Sequence, residues 1–277
     1  MRRLLSANLT RLRKDKIFWA SLLAVLALSV IHMANGCRQG MGMLEEGYSR
    51  ALDDYYFELA PFLGLVFAVF MSLFLGTEYS DGTVRNKVVI GHSRGSIYLA
   101  NLLTCIAASF LLAAAWMLGG LVGLPVFGSW QMGVPGALQY LLISLLFSAA
   151  LSAIFTLVGS LSGNKAAAAV ISILLFLGLL VGASMIYNRL CEPEMISGIV
   201  MTTEGMQMSE PSPNPDYVGG ALRTAYELIL NILPTGQAIL MANLEIARPT
   251  LQMASSVLVT AAVTAAGISL FRKKDLK

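Results

Sequence analysis

Six stretches of the chain, roughly 17–36, 59–76, 98–123, 137–159, 167–187 and 250–270, run for eighteen residues or more with almost no charge. Nothing else in the sequence constrains the fold as tightly. About 20 predominantly apolar residues in a helix cross a bilayer core. Only helices and closed barrels satisfy every backbone N–H and C=O there. These runs are continuously apolar, rich in Leu and Ala, and do not alternate at period two, which excludes a barrel. Charged residues are 13% of the chain, about half the share of a soluble domain. The chain reads as an all-α polytopic membrane protein with six transmembrane helices in a single domain over 1–277. The basic leader MRRLLSANLTRLRKDK and the length of the run behind it mark the first stretch as a retained span rather than a cleaved signal.

Orientation follows from Lys and Arg. Six basic residues lie in 1–16, three in 77–97, one in 160–166 and four in 271–277, against five in the segments at the other end. Of the acidic residues, only Asp15, Glu78, Asp81 and Asp275 share the basic end. The positive-inside rule therefore predicts cytoplasmic termini in a cell-membrane protein. The net charge of +3 hides this asymmetry and points to no nucleic-acid partner. Residues 3–16 carry Leu4, Leu5, Leu9 and Leu12 at helical spacing among Arg and Lys, a pattern for an amphipathic helix on the inner leaflet.

At the outer end, Tyr55, Tyr56, Phe57 and Trp130 suit headgroup anchors, and Pro61 suits the first turn of span two. The outer loop 188–249 opens polar and Pro-rich, with 192–220 ordered only in patches. It then carries two short helical patterns broken at Pro234 and Gly236. Each is too short to span, so a hinged pair at the outer surface or dipping into it is expected. Cys37 and Cys191 fall on the outer side and leave a disulfide open, although three unpaired thiols, with Cys105, is the plainer reading.

The chain shows no chemistry of its own. The string GSLSGNKA at 159–166 has the wrong Gly–Lys spacing for a P-loop. His32 and His92 are too few and too far apart for a metal cluster. No span serine has a His or Lys base. The spans lack the buried ionisable groups that ion-coupled transporters use. The chain is therefore not expected to be an enzyme, and energy for any transport must come from elsewhere.

One inner segment is densely polar: GTEYSDGTVRNKVVIGHSRGSIYLANLL, residues 76–103. Ser80 or Asp81 as N-cap and Gly91 as stop predict a short helix over 81–91, lying across the base of spans two and three. Ser93 or Ser96 suits the cap of span three. Glu78 is expected at the inner end of span two, paired with Arg85 or Arg94, since a carboxylate at that depth needs a partner.

Glu78, Gly82, Thr83, Arg85 and Arg94 fall on the pattern E-x-x-x-G-T-x-[RK], followed after eight residues by Arg, and so this segment resembles the signature of ABC type-2 permeases. The basic N-terminal helix, six spans, a Pro-broken helix pair in the last outer loop and the LFRKKDLK end extend the resemblance over the whole chain. It implies the permease subunit of an ATP-driven exporter, a homodimer or heterodimer whose halves each engage a separate cytoplasmic ABC ATPase through the loop between spans two and three. ATP and Mg would be bound by that partner, with no cofactor in this chain. The coupling residues would be Glu78, Asp81, Gly82, Thr83, Arg85, Lys87 and Arg94. The dimer seam would involve spans one and five, with the face shared by Gly178 and Gly182 of span five as the candidate. That stripe and the small stripe Ser144, Ser148 and Ser152 of span four both also suit packing inside one subunit, the commoner use of such stripes. The substrate would be hydrophobic or amphipathic. The competing reading is a membrane sensor or scaffold whose outer loop binds a partner.

Overall fold

A computed structural model of the chain describes residues 1–45, 51–128, 130–202, 205–208 and 210–274. Arg50, Asp275 and Lys277, used above for orientation, lie outside the described residues. The helices are α1 (Arg2–Lys14), α2 (Lys16–Glu45), α3 (Leu52–Tyr56), α4 (Ala60–Ser80), α5 (Thr83–Val89), α6 (Arg94–Gly120), α7 (Leu124–Phe127), α8 (Gly133–Leu161), α9 (Lys165–Cys191), α10 (Gly220–Ile232), α11 (Pro234–Ala242) and α12 (Pro249–Lys273). The six expected spans coincide with the helices long and apolar enough to cross a membrane.

Side chains set the helix starts. Asp15 Oδ1 accepts from the N–H groups of Ile17 and Phe18 at 2.8 and 3.0 Å and opens α2. Ser93 accepts from Ser96 N at 3.2 Å and opens α6. Asn164 accepts from Ala167 N at 2.8 Å and opens α9. Each satisfies an N–H left orphaned in the first turn. Pro61 sits in the first turn of α4, as its missing N–H predicts.

Helices α4, α6 and α8 form the centre of the bundle, with 61, 50 and 56% of their apolar windows buried; α2, α9 and α12 bury only 22, 17 and 22%. Helix α9 packs on α4, α2 on α6, and α12 on α8 and α6. Leu23, Leu174, Met185 and Leu258 point outward, each at least 60% exposed, so the bundle's outside is apolar, as hydrocarbon surroundings demand. Close helix contact depends on glycine at particular crossings. A Cβ on Gly267 of α12 would lie 2.0 Å from the Tyr98 hydroxyl oxygen of α6. The serine stripe of α8 is fully buried, and Ser152 Oγ donates to Ser109 Oγ of α6 at 3.0 Å, so it packs within the chain.

Two expectations change at the end away from the termini. Tyr55, Tyr56 and Phe57 are buried, not spread at a headgroup surface. Tyr56 meets Trp130 edge-on at 4.6 Å between centroids, and Phe57 packs at 5.0 Å from Tyr140. Each ring finds more contact among the others than an outward position offers. Residues 192–220 include a nested ribbon rather than loose patches: Ile199–Thr202 pairs antiparallel with Gly205–Met208, and Met195–Ile196 with Ser212–Pro213. Cys37, Cys105 and Cys191 are free thiols.

The Pro-broken pair forms a hairpin, and α11 is inserted into the bundle against α9, α4 and α8. Its polar side chains are satisfied inside. Gln237 Nε2 donates to Asn231 O at 2.8 Å and to Ser255 Oγ at 3.0 Å, while Ser256 Oγ donates to Gln237 Oε1 at 2.7 Å. Gln252 Nε2 donates to Asn231 Oδ1 at 3.1 Å. The hairpin closes on Gly236, where a Cβ would lie 2.5 Å from the Leu230 carbonyl oxygen. Because that neighbour is backbone, it cannot rotate away. Gly236→Ala is expected to cost about 1–3 kcal/mol, the usual range for overpacking, measured by reversible SDS unfolding in mixed micelles. Gly163→Ala, with nothing within 4 Å of the new methyl, serves as the neutral control.

Candidate functional site

The polar segment between α4 and α6 builds a closed ring of side chains drawn from four helices. Glu78, in the last turn of α4, has a side chain only 1% exposed. Its Oε1 accepts from Lys87 Nζ of α5 at 2.5 Å, and its Oε2 from Asn101 Nδ2 of α6 at 3.0 Å. Asn101 Oδ1 accepts from Asn8 Nδ2 of α1 at 2.7 Å. Lys87 Nζ also donates to Asn8 Oδ1 at 3.0 Å, which closes the ring. Arg11 of α1 reaches the same carboxylate, 2.6 Å from Oε1. Its guanidinium also donates to the Phe74 carbonyl at 3.0 Å and lies 3.7 Å above the Phe74 ring. A buried carboxylate costs several kcal/mol unless paired and hydrogen-bonded; here both oxygens are bonded and two cations face it.

Local sequence explains the placement. The N–H of Asp81 bonds Thr77 O at 3.0 Å, so Asp81 ends α4 rather than starting the next helix. Gly82 (φ 67°) then turns the chain, and Gly91 (φ 95°) turns it back; both positions are left-handed and favour glycine. The helix predicted over 81–91 is therefore Thr83–Val89. Thr83 Oγ1 donates to the Glu78 carbonyl at 2.9 Å and satisfies the end of α4. Val84 is buried in one apolar cluster with Leu4, Ile97, Tyr98 and Phe271, which seats α5 against α1 and α6.

The expected partners of Glu78 are corrected. Lys87 stands three residues beyond Val84 and so shares its inward face, whereas Arg85 is rotated about 100° from Val84 and is exposed. Arg94 donates instead to the carbonyl oxygens of Arg272, at 3.0 Å, and Lys274. It thus ties the start of α6 to the end of α12. Asp81 is exposed. Beside this, Lys274 Nζ donates to Ser160 O and Ser162 O at 2.9 and 2.8 Å, a cation on the C-terminal carbonyls of α8; burial pulls its pKa below the usual lysine value. Gly178 and Gly182 lie apart from this site, on a face of α9 where no atom comes within 4 Å of an added Cβ.

Asn8, Arg11 and Asn101 are absent from the sequence-based set. A signal exists for Asn8: it stands between Leu4 and Leu12 at four-residue spacing, on the stripe that proves buried, while Leu9 is 40% exposed. An amide on an apolar stripe needs a polar partner. Asn101 is the corresponding amide of α6.

Six apolar helices, an amphipathic leading helix and a short polar helix wedged between the second and third spans define an all-α polytopic membrane protein. The sequence model of the family described as "ABC-2 family transporter protein" matches residues 4–181, and the chain belongs to that family. No curated protein matches the chain at a significant level. It is thus a multi-pass membrane permease of an ABC transporter, a transport component and not itself catalytic, of a family that associates with an ABC ATPase.

Removing one partner from the ring strands the others. Glu78→Ala is expected to lower stability by about 2 kcal/mol, the low end for a buried charge pair because the Arg11 and Lys87 side chains keep 30 and 18% of their surface. In a double-mutant cycle with Arg11→Met, the two residues should couple by about 1 kcal/mol or more. Additive losses in SDS unfolding would mean that Arg11 does not stabilise the carboxylate.

Proposed function

We propose that this chain is the permease subunit of an ATP-driven exporter and that α5 is the element through which a separate ATPase acts on it. The observation that carries this reading is the ring itself. Lys87 of α5 is bonded at once to Glu78 of α4 and Asn8 of α1, and Asn101 joins α6 to both. A push on α5 therefore loads three neighbouring helices. The tip of α5 also offers a surface for a partner: Val89 and Ile90 are 79 and 77% exposed at the polar end of the chain, beside exposed Arg85 and Asp81. Apolar side chains bare among charges mark an interaction site.

In this reading the termini and α5 face the cytoplasm, as the basic residues favour. ATP and Mg belong to the ATPase partner, and residues 182–277 complete the single domain that begins at the N-terminus. Coupling residues are Glu78, Gly82, Thr83 and Lys87 inside the ring and its turn, Asp81 and Arg85 on the docking face, and Arg94 at the base of α6. A hydrophobic or amphipathic substrate fits a pathway with no charged lining along the spans. A second copy or paralogue closes that pathway across span five, whose open Gly178/Gly182 face is suited to close helix approach.

Reconstitution with the ATPase tests the coupling. Glu78→Ala and Lys87→Met, each normalised to folded protein, should bind the ATPase as wild type does yet transport severalfold less per ATP hydrolysed. Unchanged transport per ATP in both would leave the ring a structural fastening only. For the seam, single cysteines placed along 171–186 in a chain lacking Cys37, Cys105 and Cys191 should cross-link every three to four residues on the glycine face. Cross-links from span one or three alone would move the seam elsewhere.

A further inference from the structure

A second buried carboxylate sits at the opposite end of the bundle, and it has no counter-ion among the described residues. Asp53, in the short helix α3, is 2% exposed. Its Oδ2 accepts from Met132 N at 2.8 Å and fixes α3 to the turn before α8. Its Oδ1 is buried and has no hydrogen-bond partner. No ion pair among the described residues includes Asp53. The charges acting on it and on neighbouring Tyr140 are themselves carboxylates, Asp54 and Glu245. The Glu78 site shows what such a group requires; here no described residue supplies the cation.

Asp53 lies in the wall of a cavity of about 380 Å³, with Gln131, Gln139, Tyr140, Met132 and Leu244. We propose that this cavity binds a primary ammonium group, with Asp53 as its counter-ion. The lining selects the ligand. Two side-chain amides and a phenol stand beside the carboxylate, enough acceptors for the three N–H donors of an alkylammonium. A hard metal ion would need six or more oxygen ligands at close range, and no group of three or more His, Cys, Asp or Glu side chains forms among the described residues. A quaternary ammonium has no N–H to give, and Tyr140 alone makes no aromatic cage. Met132 and Leu244 leave room for an alkyl stem.

Access is through the loop after α11. Leu244 is the single non-glycine residue with positive φ, 58°, among the described residues. Ile246 N, two residues on, donates to the Tyr140 hydroxyl oxygen at 3.4 Å. Leu244 lines the same open-sided cavity, and a shift of this strained loop would bring the shielded Oδ1 into contact with the ammonium. The site does not depend on the coupling role of Glu78. The same chemistry has two sources, a free amine or the headgroup of phosphatidylethanolamine.

Thermal unfolding of the purified full chain in phosphatidylcholine nanodiscs tests the site at constant ionic strength. Ethylammonium chloride should raise Tm saturably, and NaCl and tetramethylammonium chloride should not. Asp53→Asn, which keeps the acceptor for Met132 N, should lose the response and unfold no earlier than wild type without ligand. Gln139→Leu, at a half-buried position, should weaken the response roughly tenfold and stands as the test if Asp53→Asn does not fold. In phosphatidylethanolamine nanodiscs, a raised starting Tm with no further ethylammonium response identifies the headgroup as occupant; an unchanged ethylammonium response identifies a free amine. No saturable response in wild type, an equal response to NaCl, or a response that both variants retain would overturn the proposal.

Discussion

The Glu78 carboxylate is the interaction on which the end of the bundle nearest the termini depends. An ionised carboxylate with 1% of its side chain exposed is tolerable only if charge and hydrogen bonds around it are complete. Those partners come from α1, α5 and α6, none adjacent to Glu78 in the last turn of α4. Helix α1 is thereby more than an amphipathic strip on a surface. Leu4 and Leu12 bury it, but Asn8 and Arg11 give it one register against α4 and α6. Apolar contact alone would allow sliding; bidirectional hydrogen bonds do not.

The opposite half of the fold satisfies buried polarity with neutral groups. The α10–α11 hairpin enters the bundle because Asn231, Gln237, Gln252, Ser255 and Ser256 bond one another and nearby backbone carbonyls. Neutral amides and hydroxyls cost less to desolvate than ions and gain directional bonds across helices. Thr235 extends the attachment to the Leu179 carbonyl of α9 at 3.1 Å. The two ends are thus built on different chemistry. The ionic ring lies at the end of the bundle nearest the termini, and the neutral lattice lies toward the opposite end. Asp53 is the exception at its end, a buried carboxylate with other carboxylates, Asp54 and Glu245, nearby.

Much of the candidate site was legible because a charged residue beside a span has few physical options. Glu78 had to be paired, Gly91 had to stop a short helix, and Lys87 belonged to it; its start at Gly82 rather than at Ser80 or Asp81 came from the structure. The partners were misjudged where reasoning went by nearness in sequence. Arg85 and Arg94 are close along the chain, yet α5's rotation turns Arg85 outward and Arg94 finds backbone carbonyls at the end of α12. Arg11 is 67 residues from Glu78, and only the packing of α1 brings them together. Similarly, Tyr55, Tyr56 and Phe57 read as surface anchors by composition, whereas stacking of Tyr55 on Phe127 and tilted or edge-on packing of Tyr56 and Phe57 against Trp116, Trp130 and Tyr140 draw them inward.

The sequence by itself determined the six spans, the Ser93 cap and first-turn Pro61 among their starts, the short polar helix between the second and third, and the bias of basic residues to one end. Each of these follows from local terms: hydropathy over a bilayer's length, an N-cap side chain, a glycine at positive φ. Tertiary structure alone decided which cations meet Glu78, that Asn8 and Asn101 complete its ring, that α11 enters the bundle, and that Asp53 has no counter-ion among the described residues. Those outcomes turn on the rotation and depth of helices relative to one another. That is set by the summed packing of side chains distant in sequence, and no window of the chain contains it.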